Sequence, residues 1–319
     1  MSDMAQNYFT VATPGILCTY QDLGRFGQGH LGLTTGGPAD KSAFIWANKL
    51  VKNPINTTAL ELSFGGLKLI ANASTTLTVT GAQAPLTING CPKELWHSHR
   101  VNAGDTIEIG FATLGCRIYL AVAGGFLVAP QFGSVSTVLR ESVGGVDGRA
   151  IAAKQLLAIA PEKRKTPLLR LSEKDIPTYS ESLTLKVITG YQASLFDNYE
   201  TTKFFANEYQ VSSQCDRMGY RLNGAAINSS ISKMYSEGIC KGAIQIPPDG
   251  QPIVLANDRQ TIGGYPKIGS VLSLDLNFLM QSNQGSKLSF EPISIHLAHN
   301  LLHLAHVKTN QTALVKVAD

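Results

Sequence analysis

Short apolar runs, each ended within a few positions by Gly, Pro, Asn or Asp, set the texture of this chain. Runs at residues 9–11, 16–20, 67–70, 75–79, 86–88, 106–109 and 117–122 predict strands in the first half. Runs at 183–188, 209–211, 243–246, 253–255 and 271–274 predict strands in the second. Asn89-Gly90, directly after LTI, predicts a hairpin, because both central residues of a type I′ turn need positive φ. One helical period interrupts the first half. Pro38 suits a first helical position, Asp40 suits the first turn, and Phe44, Ala47, Leu50 and Val51 form an apolar stripe that ends before Pro54. Near the C-terminus His296, His299, His303 and His306 are spaced by three, four and three. On a helix they share an arc of roughly 80°, with Leu297, Leu301, Leu304 and Ala305 opposite. Such pairs have the spacing of zinc or nickel ligands, but a histidine-bearing polar face is the simpler reading, and no metal is expected. His97 and His99 are read in the same way.

A polar, Pro-containing stretch at 161–182 divides the two halves and concentrates charge. The expected organisation is an N-terminal domain at 1–165, a connection at 166–182 with one pairing strand near 168–171, and a C-terminal domain at 183–319 that includes the last helix. A faint echo links the halves. QDLGRFG at 21–27 and CDRMGY at 215–220 each place an acid, an arginine and an aromatic around glycine after a predicted strand.

Composition narrows the function classes. Of 319 residues, 27 are Lys or Arg and 23 Asp or Glu, a net charge of +4, and only 16% are charged. With 44% hydrophobic residues the chain is not a disordered one. The basic excess is too dilute for a dedicated nucleic-acid binder. No apolar run reaches the roughly 18 residues of a membrane span, and the first residues lack the pattern of a signal peptide, so a cytoplasmic location without membrane or nucleic-acid partners is expected. Five widely spaced cysteines with no CxxC pair indicate neither a zinc knuckle nor a disulfide framework.

GQGHLG at 27–32 matches GxGxxG, but no βαβ unit follows, so a dinucleotide fold is not expected. GSVST at 133–137 could offer backbone amides and hydroxyls to an anion. No nucleophile elbow or Ser/His/Asp order accompanies it. The richest stretch is QIPPDGQPIVLANDRQTIGGYPKI at 245–268, which gathers acid, base, amide and hydroxyl groups beside a double glycine. Loops of this kind on rigid β scaffolds commonly carry sites, although Pro-Asp-Gly alone is also a plain turn.

PGILCTYQDLGRFGQGHLGL, GGPAD, ANKLVKNP, ALELSFGG, VTGA, AVAGGF, GSVST, GGVDGRA, DRMGYRLNG and SEGICKGAIQIPPDGQPIVLANDRQTIGGYPKIGSV occur here in this order. From about Val11 to Phe290 the chain resembles the family called allophanate hydrolase subunit 2, the biotin-dependent carboxyltransferase family or the 5-oxoprolinase C subunit. The resemblance implies a mainly β fold of two tandem cyclophilin-like β-barrel domains with a few short helices. It implies a subunit of an ATP-dependent 5-oxoprolinase complex opening 5-oxo-L-proline to L-glutamate, with two other subunits as partners, one of them a paralogous subunit 1-type protein. The alternatives are the carboxyltransferase component of a urea carboxylase-type system and a non-catalytic partner of a kinase-inhibitor-like protein. The chain has no biotin-attachment Met-Lys motif, which favours the first reading, with ATP used in the complex and no biotin on this chain. Carried over by motif, the expected catalytic residues are Asp258, Asp216, Arg217 and Arg25. Asp258 or Asp216 would be the base, the arginines would hold anions, and backbone amides at Gly263 and Gly264 would stabilise an oxyanion. Gln21, Asp22, Asp40, Gln245, Asp249, Gln251, Gln260, Thr261 and Tyr265 are the expected substrate-binding residues. The family usually has arginine within GSRST where Val135 stands here, which puts anion binding at that loop in doubt.

Overall fold

A computed structural model describes residues 7–162, 164–231 and 234–317. The chain forms two compact units. The first comprises Met1–Phe26, Gly36–Tyr179 and Ala313–Asp319, and the second Gly27–Thr35 and Ser180–Thr312.

In the first unit the strands are β1 (Tyr8–Pro14), β2 (Leu17–Gln21), β3 (Ala59–Ser63), β4 (Gly65–Ala71), β5 (Thr75–Gln83), β6 (Leu86–Ile88), β7 (Cys91–Lys93), β8 (Ser98–Val101), β9 (Thr106–Phe111), β10 (Leu114–Val122), β11 (Leu156–Ala158) and β12 (Leu169–Arg170). All but β12 divide into a six-stranded sheet, β11-β1-β4-β9-β6-β7, and a five-stranded sheet, β2-β3-β10-β5-β8. Phe9, Leu67, Leu69, Ile107 and Ile109 of the first sheet share one core with Leu60, Leu62, Leu77, Val79, Ile118 and Leu120 of the second. The other face of the five-stranded sheet is covered by helix α1 (Lys41–Leu50), whose Phe44, Trp46 and Ala47 pack with Tyr119 and Ala121. Burial on both faces explains β5, TTLTVTGAQ: Leu77 and Val79 point into the core, while Thr80 on the opposite face donates to Ala43 O at 2.8 Å. Gly81 (φ 97°) lies where the β5–β10 register shifts, and a Cβ there would overlap the Arg117 carbonyl. Asp40, expected inside the first turn, is the N-cap of α1: its Oδ1 accepts from Ala43 N at 3.0 Å, and Pro38 precedes the helix.

The second unit contains β13 (Ser182–Thr189), β14 (Tyr209–Cys215), β15 (Gly219–Asn223), β16 (Glu237–Gly238), β17 (Ala243–Gln245), β18 (Ile253–Leu255), β19 (Ile262–Gly263), β20 (Lys267–Val271) and β21 (Lys287–Pro292). Seven of them close a barrel, β13-β20-β17-β18-β15-β14-β21, sealed by the parallel pair β13–β21. β16 and β19 form a separate two-stranded ribbon in which Glu237 pairs with Gly263. The closed ring of strands thus belongs to the second unit, while the first is built as two sheets.

Helices α2 (Asn198–Ala206), α3 (Ser273–Leu279) and α4 (Ile295–Gln311) complete this unit. Phe204 of α2 stacks on Phe290 at 4.6 Å between ring centroids. The strand expected at 271–274 gives way to α3 after Val271, where Leu276 and Leu279 provide a buried helical face. The four histidines of α4 are exposed, as are Leu297 and Leu304, and Ala298 is its one fully buried position. Among the described residues no group of His, Cys, Asp or Glu is arranged to hold a metal, and no helix is long and apolar enough to cross a membrane. The last strand, β22 (Val315–Lys316), pairs with β12 in the first unit.

Candidate functional site

The expected site residues fall into separate groups. In the first unit Asp22 follows β2 and is buried. Its Oδ1 accepts from Gly24 N at 3.0 Å and lies 2.5 Å from Ser134 Oγ and 2.7 Å from Ser136 Oγ, while Oδ2 accepts from Val135 N at 2.9 Å. The 133–137 loop does cradle an anion, and that anion is the protein's own Asp22 carboxylate. Arg25 is 1% exposed and donates to the Gln131 and Ser136 carbonyls at 3.2 and 3.1 Å. Gln21 is fully buried and donates through Nε2 to Thr19 Oγ1 and the Thr137 carbonyl. Asp40 accepts from Tyr179 OH at 2.7 Å besides capping α1. Tyr119 OH donates to Glu61 at 2.7 Å, and burial drives its pKa well above the usual phenol range. These contacts describe a network that ties loops and a helix to the five-stranded sheet.

In the second unit Arg217 and Asp258 form a bidentate ion pair, with Nε–Oδ2 and Nη2–Oδ1 both at 2.8 Å and both side chains buried. Both carboxylate oxygens of Asp258 are engaged by the one guanidinium. Asp216 is exposed, and its Oδ1 accepts from Met218 N and Gly219 N, closing the turn between β14 and β15. Asp249 pairs with Arg221 and accepts from Gln251 N, while the Gln251 carboxamide bridges the backbone of Gly224. These last two residues fix the Pro-Asp-Gly turn.

One cavity, of about 470 Å³, brings several expected residues together. Asp216, Gln245, Gln260 and Tyr265 line it, with Arg221 and Cys215. Thr261, Asp249, Gln251, Gly263, Gly264, Arg217 and Asp258 are not among its lining residues. Gln245 ends β17 at 2% exposure, and its Nε2 donates to nothing among the described residues. An unmet donor in a buried place costs about 1–3 kcal/mol. Gly263 stands beside it: a Cβ at this position would lie 3.1 Å from Gln245 Nε2 and 3.5 Å from Gln260 Nε2.

Sequence reasoning missed the group that holds the β16–β19 ribbon down. Lys267, opposite Gln245 across the β17–β20 pair, is ion-paired with Glu237, which also accepts from Tyr191 OH and from Gln192 Nε2. The Lys267 hydrogen bond, then that of Tyr191, holds the Glu237 carboxyl below its ordinary range. Arg221 was missed too. Its position two residues after Gly219 in DRMGYRLNG carried a weak signal; Glu237 and Lys267 are thirty residues apart and carried none.

A family model of the carboxyltransferase domain, subdomain A and B, matches residues 31–292. The 5-oxoprolinase C subunit of Haemophilus influenzae is 35% identical over 284 residues, 89% of this chain and 90% of that protein. That of Escherichia coli is 34% identical over 292 residues, 89% and 91% of the two chains. The crystal structure of the K. lactis urea amidolyase aligns with a TM-score of 0.90 at 26% identity; the match covers 98% of this chain and 20% of that one.

Proposed function

Because the chain belongs to the family of the carboxyltransferase domain, subdomain A and B, we propose that it is one subunit of a hydrolase complex that opens 5-oxo-L-proline to L-glutamate with ATP. One observation carries this reading. The match to proteins named as 5-oxoprolinase C subunits spans about nine-tenths of both partners, whereas the chain corresponds to a fifth of the urea amidolyase. The cavity agrees with it, since the carboxamides of Gln214 and Gln260 on its lining suit a lactam and Arg221 beside them offers a cation to the carboxylate that 5-oxo-L-proline carries.

ATP does not fit the 133–137 loop. The hydroxyls of Ser134 and Ser136 and the Val135 amide are engaged by the Asp22 carboxylate, which would repel a phosphate, and Val135 supplies no guanidinium. ATP is therefore assigned to a partner subunit, and this chain to holding the lactam. In this reading Arg217 and Asp258 brace the strand ends at the cavity instead of exchanging protons. Reconstitution with the two candidate partner subunits tests the function: glutamate is expected from 5-oxoproline with ATP and not without it. A verified three-part complex that releases none would overturn the proposal.

The fold similarity to the urea amidolyase favours a second reading, carboxyl transfer from carboxybiotin held on another protein. It predicts activity with an added biotin carrier and carboxylase, and none with 5-oxoproline.

A further inference from the structure

We infer that Arg221 makes the cavity of the second unit selective for acids: its guanidinium, held through Nη2 by Asp249, binds the carboxylate of a small monocarboxylate ligand with its remaining N–H groups. That this acid is a lactam rests on the function proposed above; the carboxylate site rests on the placement of Arg221.

Arg221 stands on β15 and pairs with Ile253 of β18, so its backbone is part of the closed barrel. A group carried on such a strand is placed more firmly than one on a loop. Its side chain is 28% exposed and lines two cavities, of about 470 and 540 Å³, which also share Ser213 and Gln214. Among the described residues of either lining, Arg221 is the one cation. Its ion pair leaves it able to take a second acid. Asp249 engages Nη2, and among the described residues Nε and Nη1 donate to no acceptor. The Asp249 side chain is 49% exposed, and a pair so open to water quenches little of the charge. A guanidinium is a planar fork of several donors that stays ionised, so one edge can hold a protein carboxylate and another a ligand carboxylate.

The other cations of this region are engaged elsewhere. Arg217 is bidentate on Asp258, Lys267 is paired with Glu237, and Arg259 donates to the carbonyls of Ile239 and Ala256. Recognition of an acid in the cavity therefore falls to Arg221. Asp216 gives the ligand a direction. Its carboxylate lines the smaller cavity and not the larger, and it repels an anion from its own side. Its Oδ1 accepts from Met218 N and Gly219 N, and Oδ2 is left to accept an N–H. An acid that also carries an amide thus finds Arg221 for its carboxylate, Asp216 for its N–H, and the carboxamides of Gln214 and Gln260 for its carbonyl.

The test uses the full chain with nitrogen-15 in its arginines, titrated separately with 5-oxo-L-proline, with cyclopentanecarboxylate (an acid without a lactam) and with 2-pyrrolidone (a lactam without an acid). The Nε–Hε signal of Arg221, assigned by its loss in Arg221→Gln, is expected to move saturably with both acids and little with pyrrolidone. Arg221→Gln is expected to weaken 5-oxo-L-proline by about tenfold or more, the loss of a charge-assisted hydrogen bond, and to leave pyrrolidone unchanged. Arg221→Lys, which keeps the charge without the fork, is expected to fall between the two. An Arg221 signal that neither acid moves in the parent chain, equal 5-oxo-L-proline affinity in Arg221→Gln and the parent, or a response to pyrrolidone as large as to the acids would each overturn the inference. Cyclopentanecarboxylate binding as tightly as 5-oxo-L-proline would support the Arg221 site and count against the lactam. Neither ATP nor a partner subunit is present, so a reconstituted complex without turnover would leave this binding result standing.

Discussion

At the scale of single residues, buried charge here is neutralised before any ligand arrives. Asp22 accepts four hydrogen bonds from one loop and its own turn, and Asp258 is locked to Arg217. Removing one partner of such a buried pair leaves the other uncompensated, which costs about 3–5 kcal/mol. Asp258→Asn is therefore expected to lower the urea midpoint strongly, and Asp258→Asn with Arg217→Met to recover part of the loss. A parent-like midpoint in the single variant would show that the pair contributes nothing to the fold. For Asp22→Asn the expected loss is about 1–3 kcal/mol, because an amide presents a donor to hydroxyls and an N–H that need acceptors. Chemical denaturation measures both.

At the scale of elements, α1 and the β16–β19 ribbon depend on a few side chains. Asp40 caps α1 and accepts from Tyr179, so Asp40→Ala is expected to cost about 2 kcal/mol, toward the upper end for a cap. The ribbon is tied to the barrel through Lys267 and Glu237. The Glu237 carboxyl is held below its ordinary value, near 4.5, chiefly by Lys267. The stabilisation is thus present above that value and disappears as pH falls through the lowered one. Hydrogen exchange of the Ile262 and Gly263 amides is expected to quicken in Lys267→Met at neutral pH, relative to the parent chain. Unchanged exchange would detach the ion pair from the ribbon. Much of this level is readable in the sequence: the α1 stripe and the hairpin at Asn89-Gly90 follow from local chemistry, whereas α3 overrode a β-rich run because Leu276 and Leu279 found a buried helical face.

At the scale of the molecule, stability is expected to fall with acid before the carboxylates titrate. His97 and His99 are both held below the ordinary value of 6.5, burial being the largest cause in each. The folded chain then binds fewer protons than the unfolded one once pH drops below 6.5, so the stability these groups contribute is complete above that value and lost beneath it. Comparison of urea midpoints near about pH 7.5 and about pH 5.5 checks this, with a shallower slope expected for His97→Gln/His99→Gln. An identical slope in that variant would remove the histidines as the cause.

By itself the sequence determined the strand-rich class, the first helix and the C-terminal histidine-bearing helix, and it singled out the polar stretch at 245–268. Each depends on residues close together in the chain: a period, a cap, a turn dipeptide or a glycine pair. Only the tertiary structure decided who meets whom. Asp22 and Asp258 read alike in sequence, as acids near arginine and glycine, yet one fills its own loop and the other is clamped across 41 positions. The empty donor of Gln245 is likewise invisible in the sequence, because a hydrogen bond left unmade depends on every chain segment that closes round it.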